Sequence, residues 1–274
     1  MKNLLDLIRY AIDEDMPTGD LTTDSLALKP KWGRARLRAK SDLVLSGSLP
    51  FEQTVSLLEP NAKIKWHFED GDVLMKSQIV CSLEGDLLQI LKAERVALNF
   101  LGHLSGIATY TRKFVDAVKE TRTQILDTRK TTPGWRHLEK RAVADGGGQN
   151  HRMDLSSGIL IKDNHIATMN GITACVNRVR QQYEGPIEVE VRNLAEVKEA
   201  VELKVHRLLL DNMNNETLRE CMTIIPSGIE TEASGNMSLD RVRSVAEIGV
   251  TYISVGALTH SAPVADVSLE FDWM

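Results

Sequence analysis

Residues 187–212, IEVEVRNLAEVKEAVELKVHRLLLDN, read as strand, helix and strand. IEVEV and RLLLDN have the length and apolar content of buried strands, while Leu194 to Leu203 between them is long enough for a helix. Two strands joined through a helix run parallel, because a hairpin turn cannot bring the second strand back in the same direction. The rhythm continues outward on both sides. QILDT and GILIKD precede it, GIETEAS and YISVG follow it, and Leu239 to Ile248 is another helix-length connector. At least six such units favour a closed or nearly closed barrel, with an open doubly wound sheet as the alternative.

The chain around this region is ordinary in composition. Its 274 residues are 42% hydrophobic, enough for one barrel-sized domain or two smaller ones. No apolar run reaches the length of a membrane span, and the opening MKNLLDLIRYAIDED carries acids where a signal peptide would be apolar, so a cytoplasmic location is expected. Cys81, Cys175 and Cys221 are isolated and odd in number, which signals neither a disulfide framework nor a zinc site and leaves them as small buried hydrophobes. A net charge of -5 and a pI near 5.9 argue against a nucleic-acid partner.

Ahead of the barrel pattern the texture is different. Leu4, Leu5, Ile8, Ala11 and Ile12 recur at helical spacing and predict an amphipathic helix ending at the turn-rich DMPTGDLTT. From Arg34 to Lys40 the chain alternates, with Ala35, Leu37 and Ala39 on one face and Arg34, Arg36, Arg38 and Lys40 on the other. Four cations on one strand face are usually a solvated face; the sharper reading has them covering an anionic site on a neighbouring subunit. A helix over Phe51 to Leu58, alternation at Ile64, Trp66 and Phe68, the turn EDGD and the run IVCSL complete a small α+β unit. Leu87 to about Leu104 returns to helical spacing, and Ser105 and Gly106 mark a break before another helix. Arg95 lies in this helix, where its plain reading is a surface arginine paired with a nearby glutamate. The terminal VSLEFDW alternates again and is expected to join the amino-terminal sheet.

One segment stands out chemically. Asp127 to His165 gathers Arg129, Lys130, Arg136, Lys140, Arg141, Arg152 and Lys162 with three histidines, in a chain that is acidic overall. Its cations sit beside Thr, Gly, Asn and Ser, which make loops and expose backbone donors, so the segment reads as an anion holder, with a flexible basic loop as the bland alternative. Gly146 to Gly148 supply backbone that can approach a ligand closely. In α/β barrels ligands sit at the carboxyl ends of the strands, and polar residues recur there: Arg129 and Lys130 after ILDT, Lys162 and Asp163 ending ILIKD, Glu188 and Glu190 on IEVEV, Asp211 and Asn212 ending RLLLDN, Ser234 and Gly235 after IETEA, and Gly256 after YISV. Arg129, Lys130, His151, Arg152 and Lys162 suit a planar carboxylate-bearing substrate. Ser234, Gly235, Gly256 and Ala257 suit a phosphate bound by backbone N–H groups. Glu190 and Asp211 lie between the two sets and are best explained as ligands of magnesium, direct or through water; their plain role is an ion pair with Lys162 or Lys130.

At these residues the chain resembles the nicotinate-nucleotide pyrophosphorylase (carboxylating), or quinolinate phosphoribosyltransferase, family. The likeness runs nearly end to end, through EDMPTGDLTT, AERVALNFLGHLSGIAT, DTRKTTPGWR, the GGGQNHR to LIKDNHI block, EVEV, LLLDNM, EASG and ISVGALTHSAP. It implies an amino-terminal α/β sandwich domain over residues 1–104, with the tail 266–274 joining it, and an incomplete TIM-like α/β barrel of about seven strands over 105–265. It implies phosphoribosyl transfer from phosphoribosyl pyrophosphate to quinolinate with decarboxylation, giving nicotinate mononucleotide for NAD biosynthesis, with Mg2+ as cofactor.

Carried over by motif, Arg95 of AERVALN reaches the site of a neighbouring subunit in a homodimer or hexamer. Arg129, Lys130, His151, Arg152 and Lys162 line the quinolinate pocket; Glu190 and Asp211 serve ribose and magnesium, with Lys130, Glu190 and Asp211 as the catalytic set; Ser234, Gly235 and Gly256 lie near phosphate. The chain departs from the common family pattern at Trp135, Arg141, Asp154 and Asn236. Alternatives are a molybdenum-associated paralogue, a phosphoribosyltransferase for another ring acid, or a non-catalytic anion-binding protein on the same fold. A metal hydrolase is disfavoured by the lack of clustered His and Cys ligands.

Overall fold

The protein is described by a computed structural model over residues 4–273. Its elements in chain order are α1 (Leu4–Asp15), α2 (Leu21–Ser25), β1 (Trp32–Ala39), β2 (Leu43–Val44), α3 (Ser48–Leu58), β3 (Lys63–Trp66), β4 (Val73–Leu74), β5 (Ile79–Asp86), α4 (Leu87–Val118), β6 (Gln124–Leu126), α5 (Arg136–Asp145) and β7 (Ile159–Ile161). There follow α6 (Asp163–Met169), α7 (Ile172–Arg180), β8 (Ile187–Val191), α8 (Leu194–Glu202), β9 (Arg207–Asp211), α9 (Asn215–Ile224), β10 (Glu230–Ser234), α10 (Leu239–Ala246), β11 (Tyr252–Ser254), α11 (Ala257–His260) and β12 (Val267–Asp272). They form two compact units. One holds the described residues up to Arg112, Thr132–Gly147 and those from Ser261; the other holds Lys113–Thr131 and Gly148–His260.

The first unit is built on an antiparallel sheet in the order β12-β1-β5-β3. Alternation along β1 buries Ala35, Leu37 and Ala39 fully, against Leu83, Cys81 and Leu269 of the flanking strands and Phe51 and Leu101 of α3 and α4. The cationic face of β1 is a salt-bridge ladder: Arg34 meets Glu84 at 2.7 Å, Arg36 meets Asp272 at 2.6 Å and Arg38 meets Glu270 at 2.8 Å. The solvated reading of that face holds for these arginines, since each already has a carboxylate across the strand pair. Such exposed pairs each contribute about 0–1 kcal/mol, so the apolar face and not the ladder holds the sheet together.

The break expected at Ser105 and Gly106 does not occur; α4 runs unbroken for 32 residues. The small residues serve packing. An added Cβ on Gly106 would lie 2.1 Å from the carbonyl oxygen of Pro263, and the Gly102 carbonyl accepts the Ala265 N–H at 2.9 Å, so the glycines let the returning chain lie directly on the helix. Ser105 Oγ donates to the Ser46 carbonyl at 2.9 Å and accepts the Ser46 N–H at 3.0 Å, tying a loop to the same helix. Gly146 likewise serves packing and not a ligand: a Cβ there would meet Ala108 O of α4 at 2.5 Å. Trp135 is accounted for in this unit. It stacks on Phe100 with ring centroids 4.6 Å apart and takes the edge of His103, whose Nε2 lies 2.8 Å from the buried Glu139. Arg141 pairs with Asp145 one turn on.

The second unit is a parallel sheet in the order β7-β8-β9-β10-β11-β6. The last strand in sequence, β11, returns to the first, β6, through Ile253 opposite Ile125, which curls the sheet toward closure. Gln149 adds a parallel bridge on the other side of β6 at Leu126, so a seventh position is occupied by an extended residue and the seam lies between it and β7. This is the incomplete barrel. Val189, Val191, Leu208, Leu210 and Ala233 are fully buried on one face of their strands, and Glu188, Glu190, Arg207, Asp211, Glu232 and Ser234 occupy the other. Asn193 caps α8, accepting from Ala195 and Glu196 N–H at 3.0 Å, and Asn214 caps α9, so the chain turns into a helix immediately past the polar strand ends. The three cysteines are free and buried. No helix among the described residues is long and apolar enough to cross a membrane.

Gly106→Ala should lower stability by about 2 kcal/mol, because the overpacking against Pro263 outweighs the roughly 1 kcal/mol by which alanine is the better helix former. Urea unfolding of the two proteins measures this; an unchanged midpoint would mean that the returning chain does not need the glycine.

Candidate active site

The site is assembled by short tethers between strand ends. Asp127, fully buried at the end of β6, accepts the His151 N–H on Oδ1 at 2.8 Å, joining the DTRK and NHR segments. The Arg152 N–H donates in turn to His151 Nδ1 at 2.8 Å. Both peptide donors of the His151–Arg152 pair are thereby held. Arg152 Nη1 donates to the Gly158 carbonyl at 2.8 Å across the loop before β7. That loop is closed by Asp154, which accepts from Ser156 N and Ser157 Oγ, so the departure at residue 154 supplies an Asx turn.

Arg129 and Arg152 share one neighbourhood. Burial, and after it the charge of Arg129, pull the Arg152 guanidinium below its usual range. Arg129 Nε is buried without a hydrogen-bond partner among the described residues. Two guanidinium groups brought together in this way form a place for an anion. Lys130 is fixed by its backbone: Thr128 Oγ1 accepts its N–H at 3.0 Å, and Thr259 Oγ1 donates to its carbonyl at 2.7 Å. Its stem crosses Gly256, where a Cβ would lie 3.0 Å from Lys130 Cδ. The first and last strand ends of the barrel therefore meet at Lys130 and Gly256.

On the far side, Glu190 is buried on β8. Its pKa is raised, first by burial and then by the neighbouring charge of Asp211, and lowered by Lys162. Arg192 Nη2 lies 3.6 Å from Glu190 and hydrogen-bonds Asp163. Asp211 stands opposite Ser234 in register, and the Asn212 N–H donates to the Ser234 carbonyl at 3.0 Å. The backbone turns sharply past both strands: Asn212, Gly235 and Asn236 have φ of 54°, 95° and 49°. A Cβ on Gly235 would come within 2.1 Å of Asn212 Oδ1, so only glycine fits. Asn236 adopts the left-handed conformation, which asparagine tolerates, so the loop keeps a turn that glycine would also make. Arg241 clamps it by donating to the Gly235 and Met213 carbonyls at 3.0 and 2.6 Å.

Beneath these groups lies a charged floor that the motif reading passed over. His151 Nε2 is 3.3 Å from Glu188 and 3.4 Å from Glu232, and Arg207 Nη1 is 3.4 Å from the same Glu232 oxygen. Burial works against a charged His151, yet the two carboxylates draw its pKa up to about 9. The Arg152 N–H at Nδ1 opposes that shift, since a second ring proton would set two donors face to face, and at neutral pH we place a single proton on Nε2. The signal for Glu232 was available: it alternates with Ser234 on ETEAS as Glu188 does with Glu190. Beside Arg152, a cavity of about 300 Å3 is lined by Leu160, Ile161, Met169 and Val179 with Arg178 and His165, and no carboxylate borders it. Arg95 is exposed on α4 in the first unit and forms no salt bridge among the described residues.

Residues 107–270 match the family model "Quinolinate phosphoribosyl transferase, C-terminal domain", and residues 20–105 match the corresponding N-terminal domain. The chain belongs to the quinolinate phosphoribosyl transferase family. It is 40% identical over 96% of its length to the probable nicotinate-nucleotide pyrophosphorylase [carboxylating] of Bacillus subtilis, covering 92% of that protein. It is 38% identical over 97% of its length to the chloroplastic nicotinate-nucleotide pyrophosphorylase [carboxylating] of Arabidopsis thaliana, covering 82% of it. Among solved structures, the nicotinate-nucleotide pyrophosphorylase of Francisella tularensis superposes with a TM-score of 0.94 at 34% identity, over 98% of this chain and 96% of that one. The enzyme of Ehrlichia chaffeensis gives 0.94 at 37% identity, over 97% and 98%. The family fold, an amino-terminal sheet domain with a parallel α/β barrel, is the one described above.

The donor set at Glu190 and Asp211 fits a hard divalent cation. A buried carboxylate, Glu190, whose ionisation is made costlier by burial and by the charge of Asp211 beside it, offers with that neighbour the oxygen ligands magnesium takes, and a dication would offset the cost. The sign of that cost sets a pH dependence. Because the folded-state pKa of Glu190 is raised, its ionisation costs stability at neutral pH; the cost begins to shrink as the pH falls through the raised value and is gone below the ordinary carboxylate range. Glu190→Gln should therefore stabilise the ligand-free protein by about 0.5–1 kcal/mol near neutral pH, with the gain shrinking in acid. Urea midpoints of the two proteins across the acid range test this; a gain that is constant with pH would show that Glu190 is not strained.

Proposed function

We propose that this chain couples quinolinate to phosphoribosyl pyrophosphate, releasing pyrophosphate and carbon dioxide and leaving nicotinate mononucleotide. The observation that carries the reading is the pair Arg129 and Arg152, two cations crowded together at one end of a parallel barrel. A ring with adjacent carboxylates supplies two planar acceptors to two planar donors, which is the complement such a pair needs. His151 precedes Arg152 in the chain, and the cavity that Arg152 lines gives the ring an apolar wall.

Quinolinate and phosphoribosyl pyrophosphate are both polyanions and repel in water. The cations offset that repulsion, and holding the ring by both carboxylates aims its nitrogen at the anomeric carbon of the ribose. Lys130, packed on Gly256, and the turn Ser234–Gly235 face the phosphate side. Glu190 and Asp211 orient the ribose and would hold Mg2+, which when bound offsets the charge that develops on the departing pyrophosphate. Once the ring nitrogen is ribosylated, its positive charge stabilises the electron pair left on the adjacent carbon as carbon dioxide departs, and that carbon then takes up a proton from water to give nicotinate mononucleotide. No covalent enzyme intermediate is needed.

The site is shared in this reading. Arg95, exposed and without a salt bridge among the described residues, is offered by one subunit of a homodimer, or of a hexamer built from dimers, to the pocket of its neighbour.

Arg129→Ala and Arg152→Ala should each weaken quinolinate binding by about 2–4 kcal/mol, since a bound carboxylate loses its partner. Steady-state production of nicotinate mononucleotide and carbon dioxide measures the effect, and an unchanged quinolinate KM in both variants would sink the pocket. Subunit sharing has its own check. Arg95→Ala and Arg129→Ala proteins, each inactive alone, should regain part of the activity when mixed, because some mixed dimers carry one intact site; mixed dimers that form and stay inactive would rule sharing out.

A further inference from the structure

The His151–Arg152 step is located by a series of side chains. Asp127 Oδ1 holds the His151 N–H, and the His151 ring holds the Arg152 N–H through Nδ1, both at 2.8 Å. The far edge of the ring, Nε2, faces Glu188 at 3.3 Å and Glu232 at 3.4 Å. A ring nitrogen that accepts an N–H carries no proton, so the proton of the neutral imidazole is on Nε2, which lies within ion-pair distance of both carboxylates but makes no aligned hydrogen bond to either.

His151, Glu188 and Glu232 also place ligand atoms within 4.8 Å of one another, a spacing that a metal ion could use. The hydrogen bonding argues otherwise. A metal needs the Nε2 lone pair, which would move the proton to Nδ1 and set it against the Arg152 N–H. Arg207 Nη1 moreover lies 3.4 Å from the Glu232 oxygen that faces His151, while its Nη2 pairs with Glu230 at 2.7 Å. The charge at this depth is not imposed by the fold either. Leu209, opposite both Glu190 and Glu232 in register, shows that an apolar side chain fits the same layer.

We infer that Glu232, seconded by Glu188, is a positioning residue for the ring-acid pocket: it keeps the proton on His151 Nε2, leaves Nδ1 free to accept the Arg152 N–H, and so fixes the backbone from which Arg152 reaches its carboxylate. The inference rests on the proposed pocket, in which Arg152 binds quinolinate. Glu232 touches no substrate. Its influence passes through the tautomer of one ring.

The test is Glu232→Gln, which keeps the volume and a carbonyl acceptor but offers an N–H2 that competes for Nε2. Imidazole 15N resonances of His151 should report the Nε2–H tautomer in the native protein and a mixture in the variant. The quinolinate KM should rise about ten-fold while the KM for phosphoribosyl pyrophosphate stays within about two-fold, a split that general loosening of the barrel would not produce. Glu232→Ala is a poorer choice because it leaves Arg207 facing a void. An Nδ1–H or doubly protonated ring in the native protein, an unaltered spectrum in the variant, or a parallel rise in both KM values overturns the inference. Arg152→Ala run alongside separates the two levels: if it raises the quinolinate KM and Glu232→Gln does not, the brace fails and the pocket stands, whereas no effect of Arg152→Ala removes the pocket and the brace with it.

Discussion

A parallel strand shows alternate residues to opposite faces, and in this barrel one face lies under the helices and the other lines the interior. Val189, Leu208, Leu210 and Ala233 satisfy the first demand with complete burial. The second face then has to take Glu188, Glu190, Arg207, Asp211 and Glu232, whatever their charge. Glu188, Glu190 and Glu232 leave water as the chain folds, Arg207 and Asp211 do so in part, and a buried charge is tolerated only with a partner. Partner choice consequently organises the site. Strand interiors supply most of the acids, and the cations come mainly from the loops and strand ends above them: Arg129, Arg152, Lys162 and Arg192.

That division gives the mouth its polarity. Glu188 and Glu232 face His151 and Arg207 within the floor, so part of the acid charge there is offset before an incoming anion meets it. Arg152 is answered less fully: burial and the charge of Arg129 lower its pKa, and Glu188 and Asp154 oppose them only in part. Glu190 and Asp211 form the mirror case, two acids set together under a single lysine and a shared arginine. One patch of excess positive charge and one of excess negative charge, at the carboxyl ends of the same strands, are the arrangement the proposed function calls for. Preorganised charge of this kind is stable only because the fold overdetermines it, and local strain is the expected consequence.

The architecture was legible in the sequence because strand, loop and helix alternate with little interruption after residue 120, and because periodicity is a local property. The basic segment was legible for a similar reason, as a departure from an acidic background. What could not be read locally is what a residue meets from elsewhere in the chain. Ser105 and Gly106 look like a helix break, but Gly106 is small because Pro263 passes 157 residues later in sequence at contact distance, and α4 continues through it. Gly146 looks like ligand-binding backbone and instead admits α4. Trp135, where the family commonly has leucine, finds its reason only in the Phe100 ring it stacks upon. Glu232 had a visible pattern but no motif to draw attention to it, and its meaning depends on which way an imidazole from another strand end is turned.

The turn past β10 shows how a departure from pattern can leave a function intact. Gly235 is demanded by contact: Asn212 fills the space a Cβ would need. Asn236 is demanded only by conformation, since its φ of 49° is open to asparagine and glycine alike. The turn therefore meets two different requirements, one steric at 235 and one torsional at 236, and the second can be met by residues other than glycine. Arg241, which donates to the Gly235 carbonyl, holds the turn whichever residue stands at 236, because the bond is to backbone. The same reasoning applies at residue 154, where the aspartate closes its own loop with Ser156 and Ser157 and leaves the His151–Arg152 backbone to be placed by Asp127 and the barrel floor. Variation is absorbed where a side chain serves only its own turn; it is resisted where one side chain sets the geometry of the next.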